Sequence, residues 1–343
     1  MRLAVIFGGV SYEHEISIVS AIALKNVLKT DLDFIFCDKF RNFYLIDKKD
    51  MKANFFSSKK YQKSKQLELK NGGFFTKSIM SKKLDITCVI NLIHGCDGED
   101  GKIAALFDFF DINYIGPRLE ASVLSFSKEL TKLYAKKVGV NVLPYEVIKR
   151  GEMPTFELPI ILKPLRLGSS IGVSMVHDKS DLEYALDVAF EFDDEVLVEP
   201  LIENVREFNL AGCKIEDKIV HSIVEEPKKE KMLDFEQKYM SFSNENRSKK
   251  ADITLELENE FKATFDKIYN TTFDGALIRC DFFYHEGKIY LNEINPNPGS
   301  LANYLFNDFE NIILKLAKNT PKSKQIDIDY KFINSITSAK DKL

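Results

Sequence analysis

The chain has 343 residues, of which 45% are hydrophobic and 29% charged, and its formal net charge is −4. This composition is typical of a folded protein of two or three domains, and a pI near 5.9 argues against a large nucleic-acid-binding surface. The five cysteines are scattered, which indicates neither a disulfide framework nor a zinc site. No apolar run reaches the roughly 20 residues of a membrane span, and the chain begins with a strand pattern instead of a signal peptide. We expect a cytoplasmic protein that binds neither nucleic acid nor membrane.

Strand and helix patterns alternate over the first third of the chain. The predicted elements are a strand at 2–7, a helix at 15–28, strands at 33–37 and 43–47, and a lysine-rich surface excursion at 57–70. The run LDITCVINLIHG at 84–95 is rich in β-branched residues, as a parallel strand buried on both faces requires. A helix and a turn follow it. These residues predict a small open α/β domain.

A second block, richer in hairpins, follows a helix predicted at 122–138. Its strand-like segments are LPIILKP, IGVSMV, EVLVEPLI, FNLAGC, KIVHSIVE, GALIRCDFFY and KIYLNEINP. Helices at 179–191 and 256–270 lie between them, which indicates an α+β arrangement. Residues 225–250 are polar and highly charged, and they predict a mobile loop that acts as a lid. From about Thr320 the sequence fits either a helix or a loose tail.

The segment FGGVSYEHEIS, residues 7–17, joins the first strand to the first helix through a glycine turn. Such turns present free N–H groups to a phosphate in many nucleotide-binding folds. This one lacks the third glycine of G-x-G-x-x-G and carries Glu13 and Glu15, which are unsuited to an anion. The two acids either complement the helix dipole, for about 0.3–1 kcal/mol each, or face a positively charged group.

The segment GALIRCDFFYHEGKIYLNEINPNPGS predicts a hairpin with two carboxylates on one face. A three-residue loop at 285–287, with Gly287 left-handed, would place Arg279 opposite Glu293. One face then carries Arg279, Asp281, Glu293 and Asn295, and the other carries Cys280, Phe282, Tyr290 and Asn292. A two-residue loop would separate Asp281 from Glu293. The polar face suits Mg²⁺ shared with phosphates, although Arg279 pairing with Glu293 on an exposed strand pair would give the same pattern.

The segment PIILKPLRLGSSIGVSMV places Lys163 at the end of one strand and Gly168, Ser169 and Ser170 before another. Small residues let backbone N–H groups approach a phosphate, and a lysine adds a point charge. The loop is not a Walker A motif, and alone it could equally be an ordinary turn. Beside the acidic hairpin it favours a phosphate site.

Together these segments resemble the D-alanine–D-alanine ligases of the ATP-grasp superfamily, over roughly residues 2–316. The resemblance is carried, in order, by FGGVSYEHEIS, HGCDGEDG, YIGPRLEASVLSFSKELTK, LKPLRLGSSIGV, VEPLIENVREF, DFEQKYMS, IRCDFF and NEINPNPG. It implies a Rossmann-like, pre-ATP-grasp α/β domain at 1–118, ATP-grasp subdomains of α+β type at 119–202 and 203–320, and a tail at 321–343. It also implies a cytoplasmic homodimer that joins two D-alanines with ATP and two Mg²⁺ ions, or Mn²⁺ in their place, for peptidoglycan synthesis.

The resemblance assigns a role to each matching residue. The ATP-binding residues would be Lys128, Lys163 and Lys238 at the phosphates, Glu199 and Leu201 at the adenine, and Glu207 at the ribose. The metal ligands would be Asp281, Glu293 and Asn295. The substrate-binding residues would be Glu13, His94, Arg279, Gly299, Tyr304 and Leu305. The catalytic residues would be Glu13, Ser169, Tyr239 and Arg279.

The chemistry of the family fits these residue types. The first D-alanine attacks the γ-phosphate to give an acyl phosphate, and the amine of the second attacks the acyl carbon, with Arg279 and the Gly299 N–H supporting the oxyanion. Water has to be excluded, which is a reason for a lid. Glu13 is expected to face the ammonium of an amino acid and to connect with Ser169 and Tyr239. For Glu15 we favour the helix-dipole interpretation.

Three positions depart from the family pattern, and three other functions compete with the one that the resemblance implies. Tyr304 stands where a serine often binds the second substrate, Leu167 where some relatives have glutamate, and Pro200 removes an N–H from the hinge. The nearest rival is a D-alanine–D-lactate ligase, against which Tyr239 favours the peptide-forming type. A nicotinamide-dependent dehydrogenase is disfavoured by the missing glycine motif. A non-catalytic ATP-binding module would not need Asp281 and Glu293 as well as Arg279.

Overall fold

The computed structural model describes residues 1–227, 250–322, 324 and 326–340. Most of the loop predicted at 225–250, including Lys238 and Tyr239, therefore lies outside the described residues. At its described ends, Glu225 is buried and pairs with both Asn209 and Lys250. Within the described ranges, no helix has the length and apolar character needed to cross a membrane.

The N-terminal part is built on a seven-stranded sheet in the order β5-β4-β3-β2-β1-β6-β7. Its strands are β1 (Leu3–Gly8), β2 (Leu32–Cys37), β3 (Phe43–Ile46), β4 (Lys65–Lys70), β5 (Gly73–Thr76), β6 (Cys88–Asn91) and β7 (Tyr114–Ile115). Its helices are α1 (His14–Val27), α2 (Ala53–Ser57) and α3 (Lys102–Phe109). Strand β1 lies parallel to β2 and β6, and every residue of β1 is buried, as the apolar run predicts.

Two predictions for this sheet were wrong. The excursion at 57–70 contains β4, which pairs with β3 and β5 and buries Leu67 in the core. Its lysines hid a short alternation of Leu67 and Leu69, which is the pattern of a half-buried strand. The long strand expected at 84–95 is reduced to β6, because only those residues pair with β1 and the following ones turn into the site.

The helix predicted at 122–138 is two helices, α4 (Leu119–Phe126) and α5 (Lys128–Lys137). Ser127 between them has extended backbone angles, φ −92° and ψ 119°, and its hydroxyl accepts a hydrogen bond from the Leu130 N–H. A serine in this geometry is a preferred N-cap, so it ends one helix and starts the next. The break places Lys128 in the first turn of α5.

Two four-stranded antiparallel sheets form the rest of the molecule, in the orders β10-β9-β11-β8 and β13-β12-β14-β15. The first contains β8 (Glu146–Lys149), β9 (Ile160–Pro164), β10 (Ser174–Val176) and β11 (Glu195–Pro200). The second contains β12 (Arg206–Ile215), β13 (Lys218–His221), β14 (Leu277–His285) and β15 (Lys288–Asn295). The helices are α6 (Leu182–Phe190), α7 (Leu255–Tyr269), α8 (Phe309–Lys318) and α9 (Ile333–Lys340). The predicted helices at 179–191 and 256–270 are confirmed by α6 and α7.

The β14–β15 hairpin reaches the predicted polar face by a different register. Its loop has two residues, Glu286 and Gly287, both with positive φ, as in the tight turns that match strand twist. Arg279 therefore lies opposite Asn295, not Glu293. An extra residue in β15, Asn292, forms a bulge that brings Asp281 directly opposite Glu293.

A two-residue loop was expected to separate Asp281 from Glu293. It does not, because the bulge brings the two carboxylates opposite each other. The face assignment was wrong for Tyr290, which pairs with Phe283 and so shares the face of Asp281. It was also wrong for Asn292, which accepts a hydrogen bond from Lys163. On the opposite face Leu291 packs in the core opposite Phe282.

Candidate active site

Glu13 lies at the start of α1, where it is 5% exposed. One of its carboxylate oxygens, Oε1, accepts a hydrogen bond from the Ser169 hydroxyl. The other, Oε2, is buried and has no hydrogen-bond partner among the described residues. Burial raises the pKa of Glu13, and the nearby Glu99 carboxyl raises it further. A buried carboxylate oxygen in this state is suited to a cationic donor such as an ammonium group. Glu15, in contrast, is exposed in the first turn of α1.

Two glycines make room for the Glu13 carboxylate. A Cβ at Gly95 would stand 2.7 Å from Glu13 Oε2, and one at Gly168 would stand 3.0 Å from Oε1. Gly95 also has a φ of +68°, which side chains rarely adopt. The glycines in HGCDGEDG and in the glycine-serine loop therefore let two backbone segments close around one carboxylate.

His94 is part of the same cluster and is 4% exposed. Its Nε2 lies 2.9 Å from Ser20 Oγ, and its Nδ1 lies 3.5 Å from Glu99 Oε1. Burial lowers the pKa of His94, so the ring is neutral near neutral pH. Both ring nitrogens thus face protein groups, and the contact of His94 with substrate stays a prediction.

We expect Glu99→Gln to flatten the pH dependence of folding stability. Burial raises the pKa of Glu99 from 4.5 to about 8. Its native state then holds a proton that the unfolded state loses, so the contribution of Glu99 is complete below pH 4.5 and is lost as the pH rises toward 8. In urea unfolding, the free energy of the wild type should fall about 2–4 kcal/mol more than that of the variant between pH 5 and pH 8. The exposed Glu120→Gln should follow the wild type, and equal profiles for all three proteins would contradict the prediction.

Three charged side chains form a buried cluster between α5 and the β8–β11 sheet. Lys132 Nζ lies 2.5 Å from Glu199 Oε1, and Lys163 Nζ lies 2.7 Å from Glu199 Oε2. Lys132 and Glu199 are each 1% exposed. Burial alone would raise the pKa of Glu199, but Lys163 and Lys132 outweigh it and the pKa is lowered. Lys128, one helical turn before Lys132, donates to the Leu167 carbonyl at 2.5 Å.

We expect Lys132→Met to lower the free energy of unfolding by about 3 kcal/mol, because it leaves Glu199 buried with a single cation. The double variant Lys132→Met with Glu199→Met should recover most of this loss, since the buried charges are then removed together. Urea unfolding measures both effects. Lys137→Met, at an exposed position of the same helix, is the control. A loss no larger than that of the control would show that the cluster is not important for stability.

The predicted ATP hinge is only partly exposed. The Leu201 side chain is half-buried, and its N–H donates to the Pro159 carbonyl at 2.9 Å, so that donor is already used. Glu207 is exposed on β12. Both carboxylate oxygens of Glu199 are bound to lysines. Glu199 thus lies on β11 inside the lysine cluster, Leu201 directly follows β11, and Glu207 lies on β12.

The polar face of the β14–β15 hairpin gathers Arg279, Asp281, Glu293 and Asn295. Arg279 binds both carboxylate oxygens of Asp281, from Nε at 2.6 Å and from Nη2 at 2.8 Å. Asn295 Nδ2 donates to Asp281 Oδ2 at 3.1 Å. Burial raises the pKa of Asp281, and Arg279 opposes the shift. Two opposed carboxylates and an amide form an oxygen-rich donor set that fits a hard divalent cation. No cluster of three or more His, Cys, Asp or Glu side chains suited to a metal occurs in the described part of the chain.

The turn that follows β15 carries Gly299, Tyr304 and Leu305. Ser300, Leu301 and Ala302 within it have positive φ angles of 48°, 54° and 48°, which cost about 1–2 kcal/mol each for residues with a Cβ. Tyr304 interacts by hydrogen bonding with Arg279, and burial raises its pKa to about 12. The Leu305 side chain is 1% exposed within the core, so its predicted role at the substrate can involve only its backbone.

Four further residues belong to the site and were missed in the sequence. Lys132 and Glu99 each lie within a recognised segment, Lys132 one helical turn after Lys128 and Glu99 in HGCDGEDG. Asn292 was assigned to the wrong face. Glu225 pairs across the sheet with Asn209, which pairs in turn with Asp281, and a hydrogen bond from Tyr304 acts on the Glu225 carboxyl. Only the spacing of the two lysines on one helix was a signal that could have been used.

Two family models match most of this chain. The family described as D-ala D-ala ligase N-terminus matches residues 2–117, and D-ala D-ala ligase C-terminus matches residues 134–309. A D-alanine–D-alanine ligase of Campylobacter concisus is 65% identical over 341 residues, covering 99% of each chain. One from Nitratiruptor sp. is 58% identical over 344 residues, covering 99% of this chain and 100% of its own.

Solved structures of ligases also match this chain. The D-alanine–D-alanine ligase of Helicobacter pylori is 47% identical, has a TM-score of 0.85, and is matched over 94% of this chain and 100% of its own. VanG, a D-Ala:D-Ser ligase of Enterococcus faecalis, shares the fold at 24% identity, with a TM-score of 0.74 and coverage of 92% of this chain and 98% of its own. The ATP-grasp fold predicted from the sequence is confirmed, and the chain belongs to the D-alanine–D-alanine ligase family.

Proposed function

We propose that this protein joins two molecules of D-alanine into D-alanyl-D-alanine, with ATP as co-substrate, for the synthesis of peptidoglycan precursors. The observation that carries the proposal is the Glu13 cluster: a buried carboxylate oxygen without a described partner, beside Ser169. The cluster of Lys132, Lys163 and Glu199 and the acidic face of the β14–β15 hairpin also support the proposal. An ammonium site, a phosphate site and an acidic face are what the activation of an amino acid by ATP requires.

The first half of the reaction is phosphoryl transfer. A carboxylate oxygen of the first D-alanine attacks the γ-phosphorus, the bond to the β-phosphate oxygen breaks, and ADP leaves as an acyl phosphate forms. We assign the ammonium of this D-alanine to Glu13, and the phosphates to Lys128 and Lys163. In this structure Lys163 donates hydrogen bonds to Glu199 and Asn292. Lys132 is placed to hold Glu199 when Lys163 turns toward a phosphate.

The second half forms the peptide bond. The neutral amine of the second D-alanine attacks the acyl carbon, and the oxyanion that develops collapses as phosphate leaves with the proton that the amine gives up. Arg279, fixed in direction by its two bonds to Asp281, directs its remaining N–H groups toward this charge together with the Gly299 N–H. Ser169 and Tyr239 are assigned to the path that connects Glu13 with the attacking amine. Lys238 is assigned to the phosphates; both lid residues lie outside the described ranges.

We assign Asp281, Glu293 and Asn295 as ligands of two Mg²⁺ ions, or Mn²⁺ in their place. When bound, these ions would supply charge that offsets the negative phosphates. The opposed positions of Asp281 and Glu293 support the assignment. Leu201 and Glu207 are proposed to line the adenosine, and the backbone at Leu305 the second substrate.

The second subsite is proposed to be narrower than one with a serine at position 304. The Tyr304 hydroxyl interacts with Arg279 and acts on Glu225, so its ring is fixed across the face where the second D-alanine arrives. We further propose domains at 1–118, 119–202 and 203–320 with a tail at 321–343, a homodimer, and a cytoplasmic location. The three separate sheets support this division, and the use of ATP together with five free cysteines supports the location.

The test is phosphate release and product mass with ATP and Mg²⁺. Reactions with D-alanine, L-alanine, D-alanine plus D-lactate, and D-alanine plus D-serine are compared. We expect D-alanine alone to support release and to give the dipeptide, with no release for L-alanine. A depsipeptide or a D-Ala-D-Ser product as the main species would contradict the second-subsite assignment. Absence of D-alanine-dependent release, in protein shown to bind ATP, would contradict the function.

A further inference from the structure

Helix α1 is linked to the turn after β15 by hydrogen bonds that have no role in the steps above. The Ser300 N–H donates to Ser20 Oγ at 3.2 Å, and the same oxygen lies 2.9 Å from His94 Nε2. Ser20, His94 and Ser300 are all buried, with exposed fractions of 4%, 4% and 7%. A hydroxyl has one donor and two acceptor positions, so Ser20 can meet both neighbours in either tautomer of His94. The link joins the N-terminal sheet region to the end of the C-terminal sheet.

The turn is held from its other end by the loop that carries His94. Asn297 Nδ2 lies 3.3 Å from the Ile93 carbonyl and 3.5 Å from the Gly98 carbonyl. The Asn297 backbone also acts on His94 by hydrogen bonding. Gly299 therefore lies between two anchors, Asn297 before it and Ser300 after it, and both are fixed by the N-terminal domain.

The backbone between and after these anchors is not one that the turn would adopt by itself. Ser300, Leu301 and Ala302 are left-handed in succession, and such a conformation persists only where the surroundings hold it. Packing in the core holds Leu301 and Ala302, which are 2% and 0% exposed. Ser300 is held by the hydrogen bond that its N–H donates to Ser20 Oγ.

We propose that Ser20 is a positioning residue for peptide-bond formation: it holds Ser300 and so sets the direction in which the Gly299 N–H points. The inference rests on the proposed function, in which that N–H faces the oxyanion, and it adds a residue that makes no contact with the reacting atoms. Because the oxyanion develops only when the second D-alanine attacks, Ser20 acts on the second half of the reaction and not on phosphoryl transfer.

The test measures both halves in Ser20→Ala. Phosphoryl transfer is followed by the exchange of an oxygen label between the bridging and non-bridging β-phosphate positions of ATP in the presence of D-alanine. Dipeptide formation is followed by mass spectrometry. We expect dipeptide formation to fall by about 10- to 100-fold, less than the loss of a whole oxyanion donor, while label exchange stays within about twofold. Ser125→Ala is the matched control, a buried serine whose hydroxyl donates to the Ala121 carbonyl at 2.7 Å in its own helix.

Equal losses in both rates would show a general structural role and would overturn the proposal, as would unchanged dipeptide formation. If Ser20→Ala does not fold, Ser20→Cys keeps the size of the side chain and weakens its hydrogen bonds, and the same ratio of rates is expected. Ser20→Thr, which keeps the hydroxyl, should restore dipeptide formation to within about fivefold of the wild type. A wild-type protein that exchanges label and forms no dipeptide would contradict the proposed function itself, whatever the variants show.

Discussion

Replacing Arg279 by lysine is expected to lower the rate of dipeptide formation by about 10²- to 10³-fold, the range seen when one donor to an oxyanion is lost. Lysine keeps the charge but cannot bind both Asp281 oxygens and still present a donor in a fixed direction. Burial alone would lower the pKa of Arg279, but Asp281 outweighs it and the pKa is raised, so the guanidinium is charged throughout the working pH range. The measurement is steady-state dipeptide formation, with ATP affinity determined separately by titration.

The control for this variant is Arg206→Lys. Arg206 binds both oxygens of Glu226 at 2.8 and 2.7 Å on the neighbouring strand β12, so it matches Arg279 in its type of ion pair while lying outside the proposed site. Its side chain is 42% exposed, so little change in folding stability is expected. A rate for Arg279→Lys within about threefold of Arg206→Lys would contradict the oxyanion role.

Glu13→Gln is expected to weaken D-alanine binding in the first subsite by about 10²- to 10³-fold, which is about 3–4 kcal/mol for a buried charge pair that loses one partner. The same change should stabilise the free protein by about 1 kcal/mol. Burial raises the pKa of Glu13, which means that the ionised carboxylate destabilises the native state above its unfolded pKa, and glutamine removes that charge. Opposite changes in substrate affinity and in stability are the mark of a group kept for binding.

Glu15→Gln is the control for Glu13→Gln. Glu15 lies two residues further along the same helix turn and is exposed, so both D-alanine affinity and stability should stay close to the wild type. Kinetics at varied D-alanine and urea unfolding at pH 7 give the two measurements. A Glu13 variant that loses stability and keeps its affinity for D-alanine would show that this carboxylate supports the fold and does not bind the substrate.

The order of elements could be predicted from the sequence because apolar periodicity is a local signal. Strand β1 is a continuous apolar run, and the apolar residues of α7 recur at helical spacing between polar ones. The ends of both elements were therefore predicted to within a residue or two. The failures have local causes as well. The N-cap at Ser127 divides a segment whose apolar spacing predicts one continuous helix. In β4, the many lysines conceal the alternation of Leu67 and Leu69.

The site could be predicted only where residues form a continuous motif. The hairpin carboxylates and the Glu13–Ser169 contact were anticipated from the sequence and the family, and in the structure they lie together. The Lys132–Glu199 pair joins residues 67 positions apart, and no pattern in either segment specifies it. The register of the hairpin could not be predicted from the sequence, because the shorter loop and the bulge each shift the pairing by one residue. The two shifts together return Asp281 and Glu293 to the same face.

Strand β15 does two things: it places Glu293 opposite Asp281, and through Asn292 it contacts Lys163. The bulge at Asn292 makes the second independent of the first. In a regular strand the side chains alternate between the two faces of the sheet. Four consecutive residues therefore place two side chains on the buried face and two on the polar face. Strand β15 supplies three polar groups in that length, Asn292, Glu293 and Asn295, and Asn292 contacts the Lys163 side chain of the neighbouring sheet. Removing that one residue would leave Asp281 opposite Glu293, since the pairing resumes at the next position. One extra residue thus connects the acidic hairpin to the sheet that carries Lys163, while the pairing of Asp281 with Glu293 is kept.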